Sequence, residues 1–92
     1  MAVNVKRRLP PDPEGQNDDR ASWAQAAIDR FKEETGTEDG DALSDLLCDL
    51  MHLCDRNDTI ESFDAAMCRA RDHYAFETAT DEEYDRRWNQ EA

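Results

Sequence analysis

The sequence predicts a small all-α protein: a three-helix bundle with a central antiparallel helical hairpin, a short C-terminal helix and a disordered N-terminal arm. Three observations predict it. Within Asp41-Ala-Leu-Ser-Asp-Leu-Leu-Cys-Asp-Leu-Met-His-Leu-Cys-Asp-Arg-Asn57, the residues Leu43, Leu46, Leu47, Leu50, Met51 and Cys54 recur at i, i+3, i+4, i+7, i+8 and i+11. That is one stripe of a 3.6-residue helix. Weaker stripes of the same period lie on either side, separated by short polar breaks. No segment alternates with period two, so no sheet is expected.

Residues 1–19 read as the arm. Pro10, Pro11, Pro13 and Gly15 interrupt regular structure, and only Val3, Val5 and Leu9 offer apolar surface. A helical domain over 20–79 and a short helix within 80–92 follow. The first helix is expected from Ser22 to Thr35, with Ser22-x-x-Gln25 as a capping box and Gly36 as a left-handed exit. Trp23, Ala24, Ala27, Ile28 and Phe31 form its apolar face. The second begins between Thr37, a reasonable N-cap, and Asp41, and ends near Arg56-Asn57. Glu38, Asp39 and Asp41 suit the positive end of its dipole. A connection of only about five residues makes the third helix its antiparallel neighbour. Thr59 or Ser62 caps this third helix, and Ile60, Phe63, Met67, Ala70 and Tyr74 are its stripe. Thr80-Asp-Glu-Glu83 is another capping box, opening a short helix with Tyr84 and Trp88 four apart. The expected core is Trp23, Ile28, Phe31, Leu43, Leu46, Leu47, Leu50, Met51, Phe63 and Met67.

Composition narrows the function. A chain of 92 residues carries 23 Asp and Glu against 11 Lys and Arg, a net charge of −12. The arm holds Lys6, Arg7 and Arg8 against four acids, so −11 of that charge falls on residues 20–92. Such a surface repels nucleic acid and anionic membrane, which disfavours direct binding of either, and attracts a basic protein surface. Mean hydropathy is −1.01, close to the disordered regime, yet the apolar residues sit in periodic blocks. Three cysteines (Cys48, Cys54 and Cys68) cannot all pair within one chain, and each lies in a helical pattern where a free thiol packs as a small apolar group. A reducing, cytoplasmic setting is expected. Pro10-Pro11-Asp12-Pro13 stands where a signal peptide needs its apolar segment, and no run spans a membrane.

Two constellations carry chemistry. Cys48 and His52 are four apart on one helix face, and Cys68 and Asp72 repeat that spacing on the antiparallel neighbour. Such a set is chemically acceptable to zinc. There is no Cys-x-x-Cys knuckle, however, and Cys48 borders the apolar stripe, so no metal ligand, cofactor or catalytic residue is assigned. A reactive thiol would need a depressed pKa, which an Asp-rich surface opposes. With no Gly-rich phosphate loop either, the chain is read as non-enzymatic. The other constellation is a ridge of Asp41, Asp45 and Asp49 beside the leucine stripe, in steps of about 6 Å. Like charges four apart cost a helix a few tenths of a kcal/mol per pair. Asp55, Asp58, Glu61 and Asp64 could carry the charge around the hairpin turn, and Asp81, Glu82, Glu83 and Asp85 form another acidic patch.

The block Asp41–Asn57, followed by Phe63-Asp64 and Arg69-Ala-Arg-Asp-His-Tyr74, resembles a group of small, uncharacterised acidic helical proteins carried by proteobacterial plasmids, integrative elements and phages. The resemblance spans roughly residues 20–79. Members often have Trp where this chain has Leu53 and Gly where it has Asp58. The latter departure speaks against a tight left-handed turn after Asn57. The group brings no catalytic residues. It implies a mobile-element context, in which small acidic proteins often antagonise host restriction or CRISPR machinery by mimicking nucleic acid.

The expected function is therefore that of an acidic binding protein, an inhibitor of a host nucleic-acid-binding defence complex of anti-CRISPR or antirestriction type. Its partner is a basic surface of a host protein or nucleoprotein complex. Asp41, Asp45, Asp49, Asp55 and Asp58 would make the electrostatic contact, with Tyr84 and Trp88 as apolar anchors. The alternative is a helical adaptor or homo-oligomerisation module, and a homo-oligomer is compatible with both.

Overall fold

The computed structural model describes residues 9–88, with Arg87 and Trp88 as backbone only. It contains helices α1 (Gln16–Thr35), α2 (Asp39–Arg56), α3 (Phe63–Thr78) and α4 (Asp81–Trp88), and no strand among the described residues. The protein is all-α, as its periodicity predicts.

The start of α1 corrects the sequence reading. Gly15 adopts a left-handed conformation at φ 72° and the helix begins at Gln16, so Ser22 lies inside it and caps nothing. The capping group is Asp12. Its carboxylate accepts from the backbone N–H of Asn17 at 3.0 Å and of Asp18 at 3.1 Å, which satisfies donors that the first turn leaves without a helical partner. Asp18 and Asp19 add negative charge at the positive end of the dipole. At the other end Gly36, at φ 74°, donates its N–H to the Lys32 carbonyl at 2.8 Å, the expected left-handed exit.

Three residues turn the chain into α2. Glu38 occupies the N-cap without a side-chain bond. Thr37 is not the cap either, because its hydroxyl pairs with that of Thr35 at 2.7 Å. After Arg56 the Asn57 side chain accepts from the Thr59 N–H at 3.0 Å and closes a turn. No non-glycine residue among those described has positive φ, so Asp58 makes no left-handed turn. Ser62 caps α3, its hydroxyl accepting from the Ala65 N–H at 3.2 Å. Thr80 and Glu83 form the predicted reciprocal box, with bonds of 3.0 and 3.1 Å.

Packing departs most from expectation. α2 touches both α1 and α3, and the start of α1 meets the end of α3. There the Asn17 amide donates to the Glu77 carbonyl at 3.0 Å, and Arg20 pairs with the Glu77 carboxylate at 3.4 Å. The helices enclose very little. Ala42, 2 % exposed, is the one fully buried hydrophobic residue among those described. Leu46, Leu50, Phe63, Met67, Ile28 and Phe31 are half-buried. Trp23, Leu43, Leu47 and Met51, expected in the core, are exposed. The periodicity placed them on the apolar faces correctly, but no other element covers those sides. The Cα radius of gyration is 16.5 Å, where a compact chain of this length has about 12 Å.

Candidate functional site

On a helix advancing about 100° per residue, the side chains of α2 divide into two arcs. The apolar arc runs from Ala42 and Leu53 through Leu46, Leu50 and Leu43 to Leu47 and Met51. The polar arc holds Ser44, Asp55, Cys48, Asp41, His52, Asp45, Arg56 and Asp49. The midpoints of Leu43–Leu47–Met51 and Asp41–Asp45–Asp49 lie about 160° apart around the axis. The acidic ridge and the exposed apolar row are therefore on opposite sides of one helix.

Every member of the ridge is solvent-exposed: Asp41, Asp45, Asp49 and Asp55 along α2, and Asp58 in the turn that follows. Asp41 to Asp55 covers about 21 Å of helix axis. No cation among the described residues pairs with any of these five carboxylates. The neighbouring basic residues are engaged otherwise. Arg56 donates to the His52 carbonyl at 3.1 Å. Arg69 pairs with Glu61, which takes that carboxylate out of the expected continuation around the turn.

Three of the five acids of α1 are paired with bases instead. Arg30 reaches Glu33 at 3.6 Å and Glu34 at 3.5 Å, and Lys32 reaches Asp29 at 3.8 Å. Lys32 also bonds Asp39 across the α1–α2 corner. That hydrogen bond raises the Lys32 pKa above its usual value and lowers that of Asp39.

Tyr84 belongs to a different corner. Its ring packs edge-on against Phe76 of α3, with centroids 5.3 Å apart, so α4 uses it at least in part to dock on α3. The side chain of Trp88 lies outside the described residues. Nor does the folded chain gather a metal site: among the described residues no three His, Cys, Asp or Glu side chains could share an ion. Cys48 and Cys68 are exposed free thiols, and Cys54 is half-buried. A cleft of about 400 Å³ between α1 and α3 is lined by Pro10, Arg20, Ala21, Ala24, Tyr74 and Thr78. Its one charged lining pair, Arg20 and Glu77, is already satisfied internally.

The apolar row Leu43–Leu47–Met51 is the surface that sequence reasoning misplaced, because its residues were assigned to the interior. A signal was available: the apolar arc of α2 covers about half its circumference, wider than the apolar stripe of an ordinary surface helix. No helix among the described residues is long and apolar enough to cross a membrane. Comparison with protein-family models, with curated proteins and with solved structures finds no match. The functional reading consequently rests on the chemistry of this surface.

Proposed function

We propose that this protein is a non-enzymatic binding protein whose α2 presents its acidic edge to a basic groove on a protein partner. The observation that carries the reading is the row Asp41, Asp45, Asp49 and Asp55: exposed carboxylates that no cation of the described chain neutralises. The row is maintained against the helix's own preference, since carboxylates four apart repel by a few tenths of a kcal/mol per pair. Rigid spacing on a helix suits such a role, because the charges are held in place before contact and lose little entropy on binding. Steps of about 6 Å are of the order of phosphate spacing along a nucleic-acid strand. The finer form of the proposal is an inhibitor of a host nucleic-acid-binding defence complex, of anti-CRISPR or antirestriction type, that occupies the nucleic-acid groove. The mobile-element setting draws only on the sequence resemblance over roughly residues 20–79.

The test is a pull-down from a bacterial host lysate with wild-type and Asp45→Lys/Asp49→Lys baits, at low and high salt. A nucleic-acid-binding partner held at low salt, and lost both at high salt and with the charge-reversed bait, supports the reading. If the reversed bait holds the same partner unchanged, the acidic edge is not the contact.

A further inference from the structure

We infer that His52 makes the acidic edge of α2 pH-sensitive, so that the edge holds a basic partner more weakly once the imidazole takes up a proton. The inference rests on the function proposed above and assigns a regulator to that same edge.

Position is the first support. The row advances by four residues from Asp41 to Asp45 and to Asp49, then by six to Asp55. His52 stands midway in the wider gap, about 4.5 Å of helix axis from Asp49 and from Asp55. Around the axis its bearing falls between those of Asp41 and Asp45, about 20° from each. The edge therefore holds a titratable base near its middle rather than at its rim.

Access is the second. His52 is exposed, and among the described residues its ring makes no hydrogen bond or ion pair. Arg56 reaches only the His52 carbonyl, at 3.1 Å. The buried and half-buried side chains of α2 are Ala42, Leu46, Leu50 and Cys54, centred about 140° around the axis from His52. Helices α1 and α3 pack on that other side, so no charged group of theirs faces the ring. The groups that do face it belong to α2: Asp45, Asp49 and Asp55, with Cys48 one turn before and Arg56 one turn after. Asp58 follows in the turn beyond the helix.

Histidine is the side chain that changes charge between about pH 5 and 8. A neutral His52 leaves the carboxylates of Asp41, Asp45, Asp49 and Asp55 unopposed. A protonated one sets a positive charge among them, where the cations of a basic groove must approach. By linkage the bound groove in turn disfavours that proton. Affinity is therefore full while the ring is neutral and falls as pH drops through the histidine range. The other histidine of the chain, His73, lies on α3 and outside the edge.

The test uses nona-arginine as the basic probe, because its guanidinium groups stay charged throughout. Its affinity for the full reduced chain is measured at about pH 7.5 and about pH 5.5, on either side of the histidine range. Between these values the wild-type affinity should fall about five-fold more than that of His52→Gln, the effect of one charge a few ångströms from another in water. His73→Gln should keep the wild-type ratio. His52→Lys, which carries the positive charge at both values, should show the small ratio of His52→Gln together with a weaker affinity at the higher pH. A His52→Gln chain whose affinity falls as steeply as that of the wild type overturns the inference. Asp45→Lys/Asp49→Lys separates that failure from failure of the edge itself. If this variant loses the probe while His52→Gln keeps the wild-type ratio, the edge stands without a switch. If it holds the probe as tightly as the wild type, the edge is not the basic contact and both readings fall.

Discussion

Helices α1 and α2 each contain five acidic residues, yet they use them in different ways. On α1 each base has an acidic partner: Arg20 with Glu77, Arg30 with Glu33 and Glu34, and Lys32 with Asp29 and Asp39. Exposed pairs of this kind contribute about 0–1 kcal/mol each, and the three bases leave α1 at −2 where α2, with five acids and one base, carries −4. On α2 only Asp39, at the first turn, has a cationic partner. The rest of its charge is unopposed, and the apolar arc across the axis is broader than its neighbours cover. Acidity alone therefore does not mark a binding surface. What distinguishes α2 is a run of four acids without compensation, Asp41 to Asp55, held rigid on the helix that also organises the packing.

The largest expected effect separates the helices by packing. Leu50→Asp places a charge in the half-buried centre of the α2 arc. An unpaired buried charge costs several kcal/mol, against about 5–15 kcal/mol for a whole domain. The helical signal and the cooperative melting transition should be lost. Trp23→Asp on α1, where the ring is 69 % exposed, should change stability by no more than about 0.5 kcal/mol. A Leu50→Asp variant that still melts cooperatively would show that α2 is not central to folding.

Smaller effects belong to the helix ends. Ser62→Ala removes the acceptor for the Ala65 N–H and should cost about 1 kcal/mol. In a domain of this size that lowers the midpoint by about 4–8 °C. An unchanged midpoint would mean that water replaces the cap at no cost.

The smallest effect is at the corner between the two helices. Asp39 is held below the usual 3.8 by the hydrogen bond from Lys32, and Lys32 is held above 10.5 by the same bond. The Asp39 contribution is complete above pH 3.8 and is lost as pH falls through its lowered value. That of Lys32 is complete below pH 10.5 and is lost as pH rises through its raised value. The stability difference between wild type and Asp39→Asn should be constant between those limits and shrink beyond both. A difference that persists into strong acid and strong base would assign it to something other than this pair.

Much of the fold was legible in local chemistry. Gly36, Ser62 and the Thr80–Glu83 box act within a few residues of themselves, and the structure uses each as the sequence predicts. The start of α1 was not legible, because its cap is a carboxylate five and six residues ahead of its donors, beyond a run of prolines and Gly15. Asp18 and Asp19 were the available hint. The core was misread for a different reason. Periodicity states which side chains share a face, as it does for Leu43, Leu47 and Met51, but it does not say whether the chain supplies a cover. Of the candidate site, the ridge from Asp41 to Asp55 follows from spacing alone. Its freedom from counter-charges does not, since Arg56 and Arg69 were near enough in sequence to neutralise it, and only the folded chain commits them elsewhere.

The central claim, that uncompensated acid on α2 is the binding surface, is tested most directly by a matched pair of charge reversals. Asp45→Lys/Asp49→Lys on α2 and Glu33→Lys/Glu34→Lys on α1 each replace two acids by two bases, taking the net charge from −12 to −8. Their affinities for the captured partner are then measured at one salt concentration. The α2 variant should lose binding by about 100-fold or more, in the range of disrupted interface hot spots, and the α1 variant should bind within a few-fold of wild type. Equal losses from both would mean that the partner responds to net charge alone, and the distinction drawn between the two helices would fail.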